Sequence, residues 1–251
     1  MTDQAVPSDM KAVHLILSGL LLFLVNGSVA AQAGKTDPLT FQLGNTVITI
    51  PAPRGFEEAA SQFERIRDNF TQTEDPGNDM LAVHVPRGDC ERLRRGEFGP
   101  LNFYTKISVL KVIRGVDYSA DRFALLVTHF RKNGSQVLDM NSPRMKATVA
   151  HLNAGLSKLN KEQTQVELSQ PVNLGEFDTR PNIYSVMLFL TFKTQTSEGE
   201  RVVPIVAGLS YVRVKQRMIY VYTYRRYEST TDVETLRDFT KQWIGQILAA
   251  N

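Results

Sequence analysis

The chain has 251 residues, 42% of them hydrophobic and 22% charged, which describes a globular protein able to bury a full core and excludes disordered and collagen-like classes. Its 29 basic and 26 acidic residues leave a net charge of +3, too balanced for a nucleic-acid partner. One cysteine, Cys90, excludes an intramolecular disulfide and a multi-cysteine zinc site.

Residues 15–25 read LILSGLLLFLV, eleven residues without a charge, preceded by Lys11 and followed by the small residues Ser28, Ala30, Ala31 and Ala33. A short apolar run, a basic flank and Ala31-Gln32-Ala33 as an A-x-A site form the pattern of a secretory signal peptide. Residues 1–33 are therefore expected to be removed near Ala33, with Ser28-Val29-Ala30 as a second cleavage site. Asp3 and Asp9 are unusual ahead of such a run and make Met10 an alternative start. The expected destination is the periplasm or the exterior, with membrane contact only during export. The alternative is a chain anchored by an uncleaved segment, although the run is shorter than the roughly 20 apolar residues of a spanning helix.

In the remainder, residues 46–50 read as a strand and Pro51-Ala52-Pro53-Arg54-Gly55 as a turn. Phe63, Ile66 and Phe70 recur at helical spacing and predict a helix over 57–70. A loop over 71–79, a short strand over 80–85 and a polar insertion over 87–100 follow. Residues 103–113 alternate as a half-buried strand. Ser119 caps a helix with Phe123, Leu126, Val127 and Phe130 on one face, and Asn133-Gly134 is expected to stop it. Ser142-Pro143 opens another helix, with a stripe of Met145, Val149, Leu152, Leu156 and Leu159.

The last third predicts strands over 164–168, 183–193, 201–214 and 218–225, the last two joined tightly near Lys215-Gln216-Arg217. Tyr184, Val186, Leu188, Leu190 and Phe192 share one face of the second. Thr231-Asp232-Val233-Glu234 fits a capping box for a helix to about residue 250, with Val233, Leu236, Trp243, Ile244 and Ile247 on its apolar side. Strands and helices are segregated, so the expected fold is α+β: a mainly antiparallel sheet packed against helices, ending in a C-terminal amphipathic helix. Residues 34–251 read as a single domain.

The strand leading into Ile48-Thr49-Ile50-Pro51-Ala52-Pro53-Arg54-Gly55-Phe56, the antiparallel ending through Tyr211-Val212-Arg213 and Tyr220-Val221-Tyr222, and the closing helix at Trp243 resemble a family of uncharacterised exported bacterial proteins. More distantly they are similar to the PsbP/Mog1/DcrB-like group. That resemblance implies a layered domain and an accessory or binding role, and it carries over no functional residue.

No nucleophile elbow, H-E-x-x-H, phosphate loop or dinucleotide fingerprint occurs, so no catalytic residue, metal ligand or cofactor is assigned. His129 and His151 sit on predicted helices without a second ligand at i+4, and His84 alternates with Val83 and Val85, which predicts an outward side chain. Asp75, Asn78 and Asp79 lack calcium-loop spacing and read as turn residues. Cys90 lies among Arg87, Arg92, Arg94 and Arg95; it is either a loop thiol or half of a Cys–His pair with His84 or His151.

The local signal with most content is at the last hairpin. Arg213, Lys215, Arg217, Arg225 and Arg226 fall within fourteen residues that hold no acid. Tyr220, Tyr222 and Tyr224 alternate among them on one strand face, opposite Ile219, Val221 and Thr223. Tyr211 joins the row if the connecting loop has an even number of residues. Two readings stay open. An exposed tyrosine face flanked by Arg213 and Arg225 would seat a small anionic or sugar-like ligand; a covered face would make the tyrosines core. The function expected from this pattern is a non-catalytic envelope protein that binds an envelope partner or such a ligand. The alternative is a periplasmic hydrolase with a dispersed active site.

Overall fold

The structure is a computed structural model that describes residues 38–160, 165–196 and 199–251. The expected signal segment lies outside the described residues. A hairpin, β1 (Leu39–Leu43) and β2 (Thr46–Ile50), opens the described chain. Next come β3 (Phe56–Glu58), α1 (Glu64–Thr73), β4 (Asn78–Pro86), α2 (Arg87–Arg94) and β5 (Phe103–Leu110). Two long helices, α3 (Ala120–Val137) and α4 (Pro143–Asn160), precede β6 (Gln165–Leu168), β7 (Val172–Asp178), β8 (Ile183–Thr196), β9 (Gly199–Val214) and β10 (Arg217–Arg226). Helix α5 (Thr230–Ala249) closes the chain. The class is α+β, as the segregation of elements predicts.

Strands β3 to β10 form one antiparallel sheet in the order β3-β4-β5-β10-β9-β8-β6, with β7 also paired to β8. Lys215 and Gln216 both have positive φ, 46° and 65°, so a two-residue primed turn joins β9 to β10. Both faces of the sheet are covered. Helices α1 to α4 pack on one, through Phe63, Ile66, Phe70, Phe123, Leu126, Phe130, Met145, Leu152 and Leu156. Tyr184, Val186, Leu188, Leu190 and Phe192 of β8 point into that layer. Trp243, Ile244 and Ile247 of α5, with Leu43, Ile48 and Ile50 of the first hairpin, cover Ile219 and Val221 on the other face. Trp243 Nε1 donates to Pro51 O at 2.9 Å, and Asn251 exchanges hydrogen bonds with the Thr49 backbone, tying hairpin to helix.

Several local expectations are corrected. The helix predicted over 57–70 begins only at Glu64, because Phe56–Glu58 pairs with β4 and the Glu58 carboxylate accepts from the Ala60 and Ser61 N–H groups at 2.9 and 2.8 Å, holding a turn. The insertion over 87–100 carries helix α2, with Cys90 and Leu93 buried one turn apart. Asp89 in its first turn and Arg92 and Arg94 in its last suit the helix dipole, and Gly96, at φ 77°, ends it. Asn133-Gly134 does not stop α3: Asn133 Nδ2 donates to His129 O one turn back, inside a helix that runs to Val137. The capping carboxylate of α5 is Asp232, not Glu234; it accepts from the Glu228 and Ser229 N–H groups at 2.9 and 2.8 Å.

Two helical glycines give opposite expectations for one substitution. A Cβ on Gly155 of α4 would stand 2.4 Å from Gln72 O of α1, so Gly155→Ala must separate the two helices and is expected to cost about 1–3 kcal/mol. A Cβ on Gly134 meets nothing within 4 Å, so Gly134→Ala should instead gain about 1 kcal/mol of helix propensity. Urea unfolding of both variants checks the pair of signs.

Candidate functional site

The tyrosine row exists, and it is covered. Tyr220, Tyr222 and Tyr224 share one face of β10 and are only 2%, 2% and 3% exposed. The even turn places Tyr211 opposite Tyr220, and β5 places Tyr104 opposite Tyr224 and Lys106 opposite Tyr222. Helices α1, α3 and α4 lie over these rings: Phe70 meets Tyr104 edge-on at 5.4 Å and Phe130 meets Tyr211 at 4.3 Å. The open aromatic face is therefore corrected to a core layer, and Tyr220 and Tyr222 are core residues.

The basic cluster is largely spent on holding the hairpin to its neighbours. Arg213 donates to Tyr118 O at 2.8 Å and Asn182 Oδ1 at 2.6 Å, away from Arg225. Lys215 donates to Val47 O. Arg217 is buried, donates to Leu43 O at 2.9 Å and pairs with Asp117. Arg225 Nε donates to Asp232 Oδ1 at 2.7 Å, adding a charged partner to the carboxylate that caps α5.

Where the covering helices stop, at the Tyr224 end of the row, a cavity of about 260 Å³ opens. Residues 100–102 enter β5 there, and β9 and β10 contribute Arg201, Val203, Ile205, Tyr224, Arg225 and Arg226. The rings of Tyr104 and Tyr224 stack at 4.8 Å beneath it. The buried Tyr104 hydroxyl has no hydrogen-bond partner among the described residues. Arg226 stands 3.9 Å from Glu228, an exposed pair of small energetic weight. Two of the five site residues named from the sequence, Tyr224 and Arg225, thus meet Arg201 and Arg226 around an apolar pocket. Leu101 and Arg201 come from distant segments, and no local signal points to them.

Another cavity, of about 740 Å³, lies between α4, the first hairpin and the loop before β4. Several of its charges already have partners. Arg114 pairs with Asp79 at 2.6 Å and Lys111 Nζ donates to Pro76 O. Glu74 accepts from Asn78 at 2.9 Å, from Ser108 at 3.1 Å and from the buried ammonium of Lys106 at 2.8 Å. Asp75 Oδ1 accepts from Gly77 N at 2.7 Å, the turn chemistry expected of that segment.

The thiol pairing fails on geometry. Cys90 is fully buried in the layer that also holds Val83 and Val85, whereas His84 points through the sheet to the other face, against Trp243 at 5.3 Å. His84 is buried, not outward, because α5 covers that face. Burial pushes the Cys90 thiol up to about 12, with the Glu57 carboxylate adding to the shift, so no thiolate forms near neutrality. His151 lines the cavity of about 740 Å³, whose lining does not include Cys90.

No family model matches the chain, and no curated protein does. Among solved structures, the Ran-binding protein Mog1p of Saccharomyces cerevisiae matches with 11% identity and a TM-score of 0.29, over 85% of this chain and 95% of that one. A superposition this loose carries no argument about what this chain binds.

Proposed function

We propose that the protein is a non-catalytic binding protein of the cell envelope that holds a small organic anion and reaches its compartment through the signal over residues 1–33. The observation that carries this reading is the cavity of about 260 Å³ where Arg201, Arg225 and Arg226 surround Leu101, Ile205 and the stacked Tyr104 and Tyr224 rings. An apolar floor takes a ring or short chain, and guanidinium forks take a carboxylate or phosphate. A dry cavity of about 150 Å³ accommodates benzene, so this one admits a single ring with its acid group. The inert thiol supports binding over a cysteine hydrolase.

Calorimetric titration of the purified protein with benzoate should show saturable binding that weakens with salt. Arg226→Ala and Arg201→Ala should each weaken it about tenfold, roughly the worth of one charge-assisted hydrogen bond. Absence of saturation, or binding indifferent to both substitutions, refutes the assignment. Cell fractionation with mass spectrometry tests the compartment: a chain beginning near Gly34 in the soluble envelope fraction supports export, and an intact chain in the membrane contradicts it.

A further inference from the structure

We infer that the arginine-lined cavity takes the C-terminal end of a short peptide, which adds to the open edge of β9 and sets its carboxylate against Arg201 and Arg226, an inference that rests on the anion site proposed above. In the sheet, β10 lies between β5 and β9. Its last backbone bonds run from Arg226 N to Asn102 O at 2.8 Å and from Tyr227 N to Pro204 O at 2.9 Å. The chain then leaves the sheet, with Tyr227 against Phe189 in the layer under α5. Strand β9 starts further out, at Gly199, and pairs with β8 from there on without a shift of register. Among the described residues, no strand continues the line of β10 past Tyr227. What remains is a gap one strand wide, about 10 Å between the flanking backbones, with residues 100–102 on one side and 201–203 on the other. The cavity of about 260 Å³ occupies that gap. Both Val202 and Val203 line it, although they point to opposite faces of the sheet, as they would at an open strand edge.

The backbone sets the direction. The amide groups of successive strand residues face alternate edges. The Pro204 carbonyl faces β10, where Tyr227 N reaches it, so the Val202 N–H and C=O face the same way, into the gap. An added strand can bond to both. It must also stop there, because Pro204 has no N–H and its carbonyl already accepts from Tyr227. Charge selects which end stops. A chain parallel to β9 arrives as a carboxylate, to which the guanidinium forks of Arg201 and Arg226 can donate. An antiparallel chain would instead bring an N-terminal ammonium against those cations. With its N–H on Val202 O, the last residue stands level with Val203 and shares its face. Its side chain then meets Val203, Ile205, Leu101 and Tyr224, which call for an apolar residue at that position.

The test uses the tripeptide acetyl-Thr-Val-Leu with a free carboxylate, titrated calorimetrically into the purified protein. It should displace benzoate and bind at least about tenfold more tightly, since it adds two backbone bonds and an apolar side chain to the same charge contact. Its C-terminal amide should bind about tenfold more weakly than the acid, and Arg226→Ala should shrink that difference. Methylating the leucine nitrogen keeps the charge and the side chain but removes the bond to Val202 O, and should weaken the peptide roughly fivefold. Benzoate binding without saturation by the tripeptide overturns the inference and leaves the anion site standing. Equal binding of the acid, the amide and the N-methyl form does the same. Absence of benzoate binding as well removes both readings.

Discussion

Replacing Lys106 with methionine is expected to cost the fold about 3–5 kcal/mol, a large share of the stability of a domain this size. Lys106 is fully buried and its ammonium lies 2.8 Å from the Glu74 carboxylate, itself 5% exposed. It also sits over the Tyr222 ring at 4.9 Å. Desolvation pushes Lys106 below the usual lysine range, and Glu74 opposes that shift by holding the charge in place. Without the ammonium, Glu74 keeps Ser108 and Asn78 but remains an uncompensated charge inside the core. Glu74→Gln in the same chain removes that charge, so the double variant should recover most of the loss. Urea unfolding of the single and double variants measures the coupling. A single-variant loss below about 1 kcal/mol would place the pair among weak surface bridges and refute this reading.

Acid should unfold the protein through His84. Burial lowers its pKa from the usual 6.5 of a histidine to about 3. Its folded pKa is depressed, so between those two values the unfolded chain binds the extra proton, and stability is full above about pH 6.5 and declines as pH falls toward 3. The limiting slope is about 1.4 kcal/mol per pH unit, which amounts to about 3 kcal/mol by pH 4. The ring has nowhere to place a charge: Nδ1 meets Thr105 Oγ1 at 3.3 Å, Nε2 is buried with no partner among the described residues, and Trp243 closes the remaining side. In His84→Leu the difference in stability between pH 7 and pH 4 should shrink by that amount. An unchanged pH dependence would show that His84 is accessible to protons in the folded state.

The regular ending of the chain was legible because strand alternation and helical stripes are local. Tyr184 to Phe192, the tight turn at Lys215-Gln216 and the stripe from Leu236 to Ile247 all lie where their periodicity places them. Whether the tyrosine face is open was not legible. Tyrosines flanked by arginines suit an exposed face or a buried one, and what decides is α1, α3 and α4, which fold back from well before β10 in the chain. For the same reason the arginines mislead as a group: Arg213 and Arg217 find carbonyl partners in Tyr118 and Leu43, far away in sequence. Cys90 looked like a loop thiol because glycines and charges dominate its neighbours, while the one-turn spacing of Cys90 and Leu93 was the available signal for α2. Only the part of the site carried by adjacent residues, Tyr224 and Arg225, could be read locally. Tyr104 joins it through the pairing of β5 with β10, while Leu101, just before β5, and Arg201, on β9, come from chain segments far from it in sequence.

The most direct test of the anion-binding assignment is a ¹³C-methyl NMR spectrum of the purified protein during titration with benzoate. The predicted result is a set of saturable shifts at Leu101, Val202, Val203 and Ile205, which line the arginine-rimmed cavity, with Val186 and Leu209, which line a separate cavity beside α3, unmoved. Arg226→Ala should shift the same methyls only at higher benzoate. A spectrum in which these four residues stay still, or in which shifts gather elsewhere on the molecule, would contradict the assignment.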